Sequence, residues 1–203
     1  NLKYIGFQAF YHCIGLKNIV IPEKVELIDK EAFRKCNKLQ TMTILGMPKL
    51  DKDCLRQTNT ALITCHLPIT KISGLNLKHQ AVLGWIQSVD MQIEISVKVS
   101  ASIKQYINNI FDALVQDIDN NHDLLPKLIK LNVLDINQTD TLLDRFAGDA
   151  EKVSILLAYK NENFSSVDIA KNEEKMEEKV EATAEEMQEK AEETVEATSQ
   201  ETA

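Results

Sequence analysis

The chain has 203 residues, 44% of them hydrophobic, and a formal net charge of −8. This is enough for one or two domains with buried cores. From Lys171 onward, twelve Glu and four Lys account for the whole net charge, so the first 170 residues are balanced. An acidic balance without a basic cluster argues against nucleic acid and anionic membrane surfaces as partners. The chain contains no run of about 18 apolar residues, so the sequence predicts no membrane-spanning helix.

Two copies of one pattern open the chain, 23 residues apart. The first copy, residues 5–27, reads IGFQAFYHCIGLKNIVIPEKVEL, and the second, residues 28–50, reads IDKEAFRKCNKLQTMTILGMPKL. Ala-Phe, Cys, Leu and Ile recur at the same offsets in both copies. A repeat of this length is typical of a solenoid, in which each turn buries its apolar side chains against the neighbouring turns.

Each copy contains a segment that ends in the alternation of a β-strand, Leu16–Ile21 in the first and Leu39–Ile44 in the second. Successive side chains of a strand point to opposite faces, so the apolar residues at alternate positions would face the core. The outward residues are then Lys17, Asn18 and Val20 in the first copy and Gln40, Thr41 and Thr43 in the second. Stacked turns would align these strands into a parallel sheet with an exposed binding surface.

A third, degraded copy is expected from Leu50 to Pro68, as the capping turn of the array. Leu50 would match Ile28 at an offset of 22 residues. Beyond it, we expect Leu62, Cys65 and Leu67 to occupy the positions of Leu39, Met42 and Ile44. That register turns Thr64 and His66 outward. The candidate protein-contact residues are therefore Lys17, Asn18, Val20, Gln40, Thr41, Thr43, Thr64 and His66.

The repeat pattern resembles the BspA-type leucine-rich repeat, in which a strand, a Pro and a Val-x-x-Ile segment precede Ala-Phe-x-x-Cys-x-x-Leu. The matching residues are Pro22, Val25, Ile28, Ala32, Phe33, Cys36 and Leu39, with Ala9, Phe10, Cys13 and Leu16 in the turn before. The resemblance implies a bacterial or protist surface protein that binds host or neighbouring-cell proteins. Because the chain starts with Asn1, inside a repeat, we expect it to be the C-terminal part of a longer protein.

After a connector at residues 69–76, the pattern becomes helical over residues 77–170. We expect amphipathic helices at Leu77–Ser88 and Ser100–Asn120, then Leu124–Leu131 capped by Asp123. Two more are expected, one at Leu142–Ala147 opened by Thr139 or Asp140, and one from Asp149 to Tyr159 with Val153, Leu156 and Leu157 buried. The stretch AGDAEKVSILLAYKN loosely resembles the second half of an ankyrin-type helix pair.

Residues 171–203 form a Glu-rich tail, and Asn172–Ala203 contains no Gly, Pro or aromatic residue. Helix propensity is high, but the apolar stripe is too thin to predict a coiled coil. The tail is therefore expected to be a solvated helix or disordered.

No arrangement of residues predicts catalysis or metal binding. The four cysteines form no Cys-x-x-Cys pair and lie at no zinc-ligand spacing from a histidine. The neighbours His12–Cys13 and Cys65–His66 would point apart on an ordered backbone. We therefore predict no enzymatic activity, no catalytic residue, no cofactor and no metal.

These observations together predict an α+β fold, with a leucine-rich-repeat β-solenoid at residues 1–68 capped by a helical array. The predicted function is non-enzymatic protein–protein recognition, in a surface or adhesion protein. The alternative is an intracellular scaffold or regulatory protein that uses the helical domain and the acidic tail. The ligand, the compartment and the oligomeric state stay open.

Overall fold

A computed structural model describes residues 1–172 of the chain. They divide into two compact units, which separate between Val133 and Leu134. Apart from its first two residues, the tail predicted to be helical or disordered lies outside the described residues.

The first unit contains six short strands in two parallel, three-stranded sheets. The first sheet has the order β1 (Tyr4–Ile5), β3 (Leu27–Ile28), β5 (Lys49–Leu50), and the second has the order β2 (Asn18–Ile21), β4 (Thr41–Ile44), β6 (Ala61–Thr64). Asn18 pairs with Thr41 and Ile21 with Ile44, so the register equals the 23-residue repeat. The predicted parallel sheet and α+β class are therefore confirmed.

The recurring apolar residues form the core between the two sheets. Phe33 and Cys36 are fully buried, and the Phe33 ring stacks on Phe10 of the preceding turn with centroids 4.8 Å apart. The Cys36 Sγ donates to the Phe10 carbonyl at 3.0 Å. Each turn therefore supplies one layer of a ladder, as expected when a unit buries its core only against its neighbours.

The loops between the sheets are also joined turn to turn. His12, Lys35 and Gln57 hold equivalent positions and all adopt a left-handed backbone, with φ between 56° and 59°. Such a conformation is uncommon for residues other than Gly and persists where the surroundings enforce it. Here the His12 N–H donates to the Arg34 carbonyl and the Lys35 N–H to the Arg56 carbonyl, so the ladder holds the conformation.

The third turn has a different register from the one predicted. Leu50 pairs with Ile28 at the expected offset, but Met42 pairs with Leu62 and Ile44 with Thr64. The prediction that Cys65 and Leu67 match Met42 and Ile44 is wrong. The third turn is shorter, because only two residues separate Thr58 from the strand at Ala61.

Thr58 holds the place that Cys36 occupies in the second turn. Its Oγ1 accepts from the Cys36 N–H at 3.1 Å and donates to the Phe33 carbonyl at 2.6 Å. In the second turn, four residues separate Cys36 from the strand that begins at Thr41. The resulting register differs from the predicted one by three residues, and an odd shift exchanges the two faces of a strand.

The first helix, α1 (Leu75–Met91), packs directly on β6. A Cβ atom at Gly84 would lie 2.3 Å from the Leu62 carbonyl oxygen, so only glycine permits this approach of helix to strand. Trp85 is buried on the same helix and donates its Nε1–H to Ser100 Oγ at 3.2 Å. Helix α1 therefore covers β6, the last strand of the repeat array.

Three more helices complete the first unit: α2 (Val97–Ile107), α3 (Phe111–Asn120) and α4 (Leu124–Leu131). The prediction of one helix over Ser100–Asn120 is wrong, because a 3₁₀ turn at Asn108–Ile110 interrupts it. Asparagine is a poor helix former whose side chain competes for backbone hydrogen bonds, and two of them stand at this break. The predicted bounds of α4 are confirmed, although the Asp123 side chain makes no capping hydrogen bond.

In the second unit, α5 (Ile136–Arg145) and α6 (Ala150–Asn163) pack against each other. The predicted start of α5 at Thr139 or Asp140 is wrong, because Asp135 begins the helix through a capping box with Gln138. Asp149 caps α6 as predicted, accepting from the Lys152 N–H.

The buried face of α6 differs in part from the prediction. Leu156 and Tyr159 are buried, whereas Leu157 is exposed and Val153 is half-buried. The Tyr159 hydroxyl donates to the Leu134 carbonyl at 2.9 Å.

The expected boundary at residues 69–76 also differs from the structure. The unit that holds the repeats extends through α4 to Val133, so the helices expected in one domain at residues 77–170 are shared between two units. The reason is the contact of α1 with β6, which joins the first helices to the sheet.

Candidate recognition surface

The outward face of the second sheet changes from exposed to buried across its three strands. Val20, Thr43 and Ile63 lie side by side in one row, paired in register from β2 through β4 to β6. Their exposed fractions are 59%, 8% and 0%. Helix α1 covers the end of the row at β6, and it leaves β2 and the side of β4 that faces β2 exposed to solvent.

Five of the predicted contact residues lie at this open end. Asn18, Val20 and Thr41 belong to the strands, and Lys17 and Gln40 directly precede them. Thr41 is half-buried, and the other four are exposed. Thr41 Oγ1 donates to Asn18 Oδ1 at 2.7 Å, which orients two neighbouring side chains across the strands. We call these five residues the open face.

Thr43 and Thr64 are corrections to the predicted contact set, because both are buried. Thr43 points outward as expected but lies beside the part of the sheet that α1 covers. Thr64 pairs with Ile44 and so faces inward, as a consequence of the short third turn. His66 is exposed beyond the end of β6, in a small cleft that Glu23, Leu45 and Glu94 also line.

A groove runs along the edge of the open face, with a volume of about 500 Å³. Gln40, Thr41 and Ala61 contribute from the strands. Leu83 and Gln87 of α1 line it as well, and the remaining lining residues are Asn59, Thr60, Asp117, Asn120, Asn121 and Leu124. We call this the sheet-side groove. Neither Gln87 nor the asparagines were predicted as site residues, since only the packing of the helices beside β4 brings them there.

A second groove of about 550 Å³ adjoins the first and shares Asn59, Leu83 and Asp117 with it. It lies between the loop of the third turn and helices α1 and α3, and we call it the loop-side groove. His79 Nε2 and Asp117 Oδ2 are 2.6 Å apart and link α1 to α3. The Gln80 Nε2–H donates to the Thr58 carbonyl at 2.8 Å, which links α1 to the third turn.

The positive charge at the rim of the loop-side groove has a carboxylate partner. Arg56 lines that groove, and its Nη1 lies 3.2 Å from Oε1 of the buried Glu31. Gln8 and Arg34 donate to the other Glu31 oxygen at 2.9 and 3.0 Å. These hydrogen bonds, from Gln8 first and then Arg34, lower the pKa of Glu31 despite its burial. Lys52 also lines this groove, together with the acidic Asp53 and Asp117, so the groove carries charges of both signs.

Three of the four cysteines, Cys36, Cys54 and Cys65, are poorly suited to nucleophilic chemistry. All four are free, and burial raises the pKa of the Cys36 and Cys65 thiols and that of Cys54 to about 12. A thiol with a raised pKa carries little of the reactive thiolate at neutral pH. Among residues 1–172, no group of three or more His, Cys, Asp or Glu side chains is arranged to hold a metal ion.

Comparison with protein families accounts for the repeat region. Residues 1–82 match the family model described as the BspA type leucine rich repeat region (6 copies). The turns of this region are therefore similar to leucine-rich repeats of the BspA type. The match extends past Pro68 into α1, which agrees with the contact of that helix with the last strand.

The matched family is a non-enzymatic repeat family, and leucine-rich repeats indicate a protein-interaction module. No curated protein and no solved structure matches the chain. Within the described part of the chain, every helix is too short or too polar to cross a bilayer.

Proposed function

We propose that the first unit, residues 1–133, is a non-enzymatic recognition module that binds a partner protein on its open face. The observation that carries this proposal is the row Val20, Thr43, Ile63, which is covered at one end and open at the other. An apolar side chain stands exposed at Val20 beside the polar residues Asn18 and Thr41. Apolar contacts beside oriented hydrogen-bonding groups are typical of protein interfaces.

Rigidity favours binding at this surface. The backbone of β2 and β4 is held by the parallel ladder, and the Asn18 and Thr41 side chains already bond each other. Immobilising a mobile side chain on binding costs roughly 0.5–1.5 kcal/mol. Side chains that are ordered beforehand avoid part of this cost, so a modest contact area can still give useful affinity.

For the biological setting, we propose a surface or adhesion protein that engages a host or neighbouring-cell protein, as the family resemblance implies. The helix pair α5 and α6 would add a second, ankyrin-like interaction surface. The alternative is an intracellular scaffold in which the second unit and the acidic tail recruit partners.

The test is a pull-down in which only the open face changes. The bait is the full chain, with a matched bait that ends at Ala170, incubated with extracellular matrix and with cytosol. The disrupting variant is Lys17→Glu with Gln40→Glu. The matched control is Lys49→Glu with Gln105→Glu, which makes the same charge change at two exposed positions away from the open face.

A captured protein is identified, purified and titrated against all four baits. We expect the open-face variant to lose binding and the control to retain it. Matrix capture independent of the tail favours the surface setting, and capture from cytosol that requires the tail favours the scaffold. Equal binding by both double variants would overturn the proposal that the open face makes the contact.

A further inference from the structure

We propose that the sheet-side and loop-side grooves bind an extended, uncharged segment of the partner protein through its peptide backbone. This inference rests on the proposed function, since it assigns the part of the partner that lies beside the open face. Gln40 and Thr41 belong both to the open face and to the sheet-side groove, so the two surfaces are continuous.

The lining of both grooves is unusually rich in carboxamide side chains. Five of the eleven residues of the sheet-side groove are amides, namely Gln40, Asn59, Gln87, Asn120 and Asn121. Five of the fourteen residues of the loop-side groove are amides too, and Asn59 is common to both sets. The grooves therefore offer a row of amide side chains. Four of these amides already make one hydrogen bond within the protein, namely Gln57, Gln80, Asn120 and Asn121.

A carboxamide is the side chain that best matches a peptide group. It presents one carbonyl oxygen and one NH₂ group, which pair with the N–H and C=O of an extended chain. Backbone groups are obligatory hydrogen-bonding groups, and an extended segment exposes them along its length. Amides placed along a groove therefore recognise a backbone whatever its side chains are.

Other classes of ligand fit the lining less well. No Phe, Tyr or Trp side chain lines either groove within residues 1–172, and the His79 ring is paired with Asp117, so a sugar or a nucleobase finds little stacking surface. The apolar residues of the sheet-side groove are Ala61, Leu83 and Leu124, too few to receive the apolar face of an amphipathic helix. Arg56 pairs with Glu31 and His79 with Asp117. The other charged lining residues, Lys52 and Asp53, are of opposite sign, so the lining favours neither an acidic nor a basic peptide.

Two buried polar atoms stand at the groove walls. Thr60 Oγ1 and Gln80 Oε1 are buried and have no hydrogen-bond partner within the described part of the chain. Burying a polar atom without a hydrogen bond is unfavourable, so both atoms have unused hydrogen-bonding capacity. Both are covered by their neighbours, and Gln80 keeps its hydrogen bond to the Thr58 carbonyl.

The experiment uses a displayed library of linear twelve-residue peptides, selected on the full chain. The groove variant is Asn59→Ala with Gln87→Ala, which removes one amide common to both grooves and one from α1. The matched control is Gln105→Ala with Asn109→Ala, two exposed amides outside both grooves. Thermal melts of the three proteins establish that all are folded.

Selected peptides are synthesised and titrated by fluorescence anisotropy. We expect the groove variant to bind about tenfold more weakly and the control to bind as the original chain does. Single N-methylations along the peptide should weaken binding at alternate positions, because alternate N–H groups of an extended chain point the same way. Single alanine substitutions should have smaller effects.

Three results would overturn the inference: no peptide selected, equal binding to the groove variant, or binding that tolerates N-methylation but requires Asp or Glu side chains. Failure here is distinguishable from failure of the recognition function. Lys17 lies outside both grooves. A partner protein that is lost with Lys17→Glu but retained by the groove variant would keep the function and remove only the backbone-binding inference.

Discussion

The two outer strands of the second sheet share a backbone geometry but differ in what covers them. On β2, Val20 is exposed to solvent, whereas on β6 the equivalent Ile63 is completely buried under α1. The two strands also differ in their residue types, in agreement with this difference in burial. β2 carries Asn18 on its outward face, while β6 reads Ala-Leu-Ile-Thr and is apolar on both faces apart from its last residue.

The residue types of a strand therefore indicate whether another layer of the protein covers its outward face. A strand with one solvated face alternates polar and apolar residues, and a strand covered on both faces is apolar throughout. The outward face of the sheet can therefore bind a partner only at strands whose outward residues are not covered by another apolar layer. Four substitutions test this reading, and each is judged by the free energy of unfolding from urea denaturation of the full chain.

Phe33→Ala should have the largest effect, because Phe33 is fully buried in the inward core that lies beneath both strands. The change leaves a cavity beside Phe10, and we expect a loss of about 3–5 kcal/mol. An unchanged denaturation midpoint would show that the core does not depend on the repeat register.

Ile63→Ala tests the covered end of the row. Because Ile63 is buried between β6 and the helical layer, we expect a loss of about 2–5 kcal/mol. A loss below about 0.5 kcal/mol, the range of ordinary surface substitutions, would mean that α1 does not cover this strand.

Gly84→Ala tests the cover from the helical side. The added Cβ would clash with the Leu62 carbonyl oxygen, so α1 must shift away from β6, and we expect a loss of about 1–3 kcal/mol. Gly148→Ala is the matched control, because nothing lies within 4 Å of a Cβ atom placed there. Equal effects at the two glycines would contradict the close packing of α1 on the strand.

Val20→Ala should have the smallest effect. It removes the same kind of side chain from the same row, yet at an exposed position, and we expect a change within about 0.5 kcal/mol. The losses of unfolding free energy in Ile63→Ala and Val20→Ala, taken together, test most directly whether the two ends of the row differ in burial. A loss above about 2 kcal/mol at Val20 would show that another part of the molecule covers the open face.

The regular turns were predictable in detail because each position is repeated. Ala32, Phe33, Cys36 and Leu39 are buried where the repeat pattern places apolar residues, and β2 pairs with β4 at the repeat offset. The third turn was predicted less well. Its hydroxyl at Thr58 replaces a thiol, and the loop that follows is two residues shorter, so pattern matching selected the wrong register for Thr64.

The helical region shows a similar division. The α4 bounds follow from apolar spacing, since that helix is short and its ends carry clear signals. The start of α5 at Asp135 depends on the capping box with Gln138, whereas the turn at Asn108–Ile110 has no side-chain capping hydrogen bond. Several residues near the start of α5 could cap a helix, and only the packed structure selects among them.

Sequence alone determined the leucine-rich-repeat pattern, the parallel register of the first two turns and the core positions, because these depend on local periodicity. Only the tertiary structure decided that α1 covers β6, that Thr43 is buried with it, and that amide side chains from separate elements line two adjoining grooves. The alternation of apolar and polar residues indicates which face of a strand is buried. The partner that excludes the water lies elsewhere in the chain, and only the folded packing brings it there.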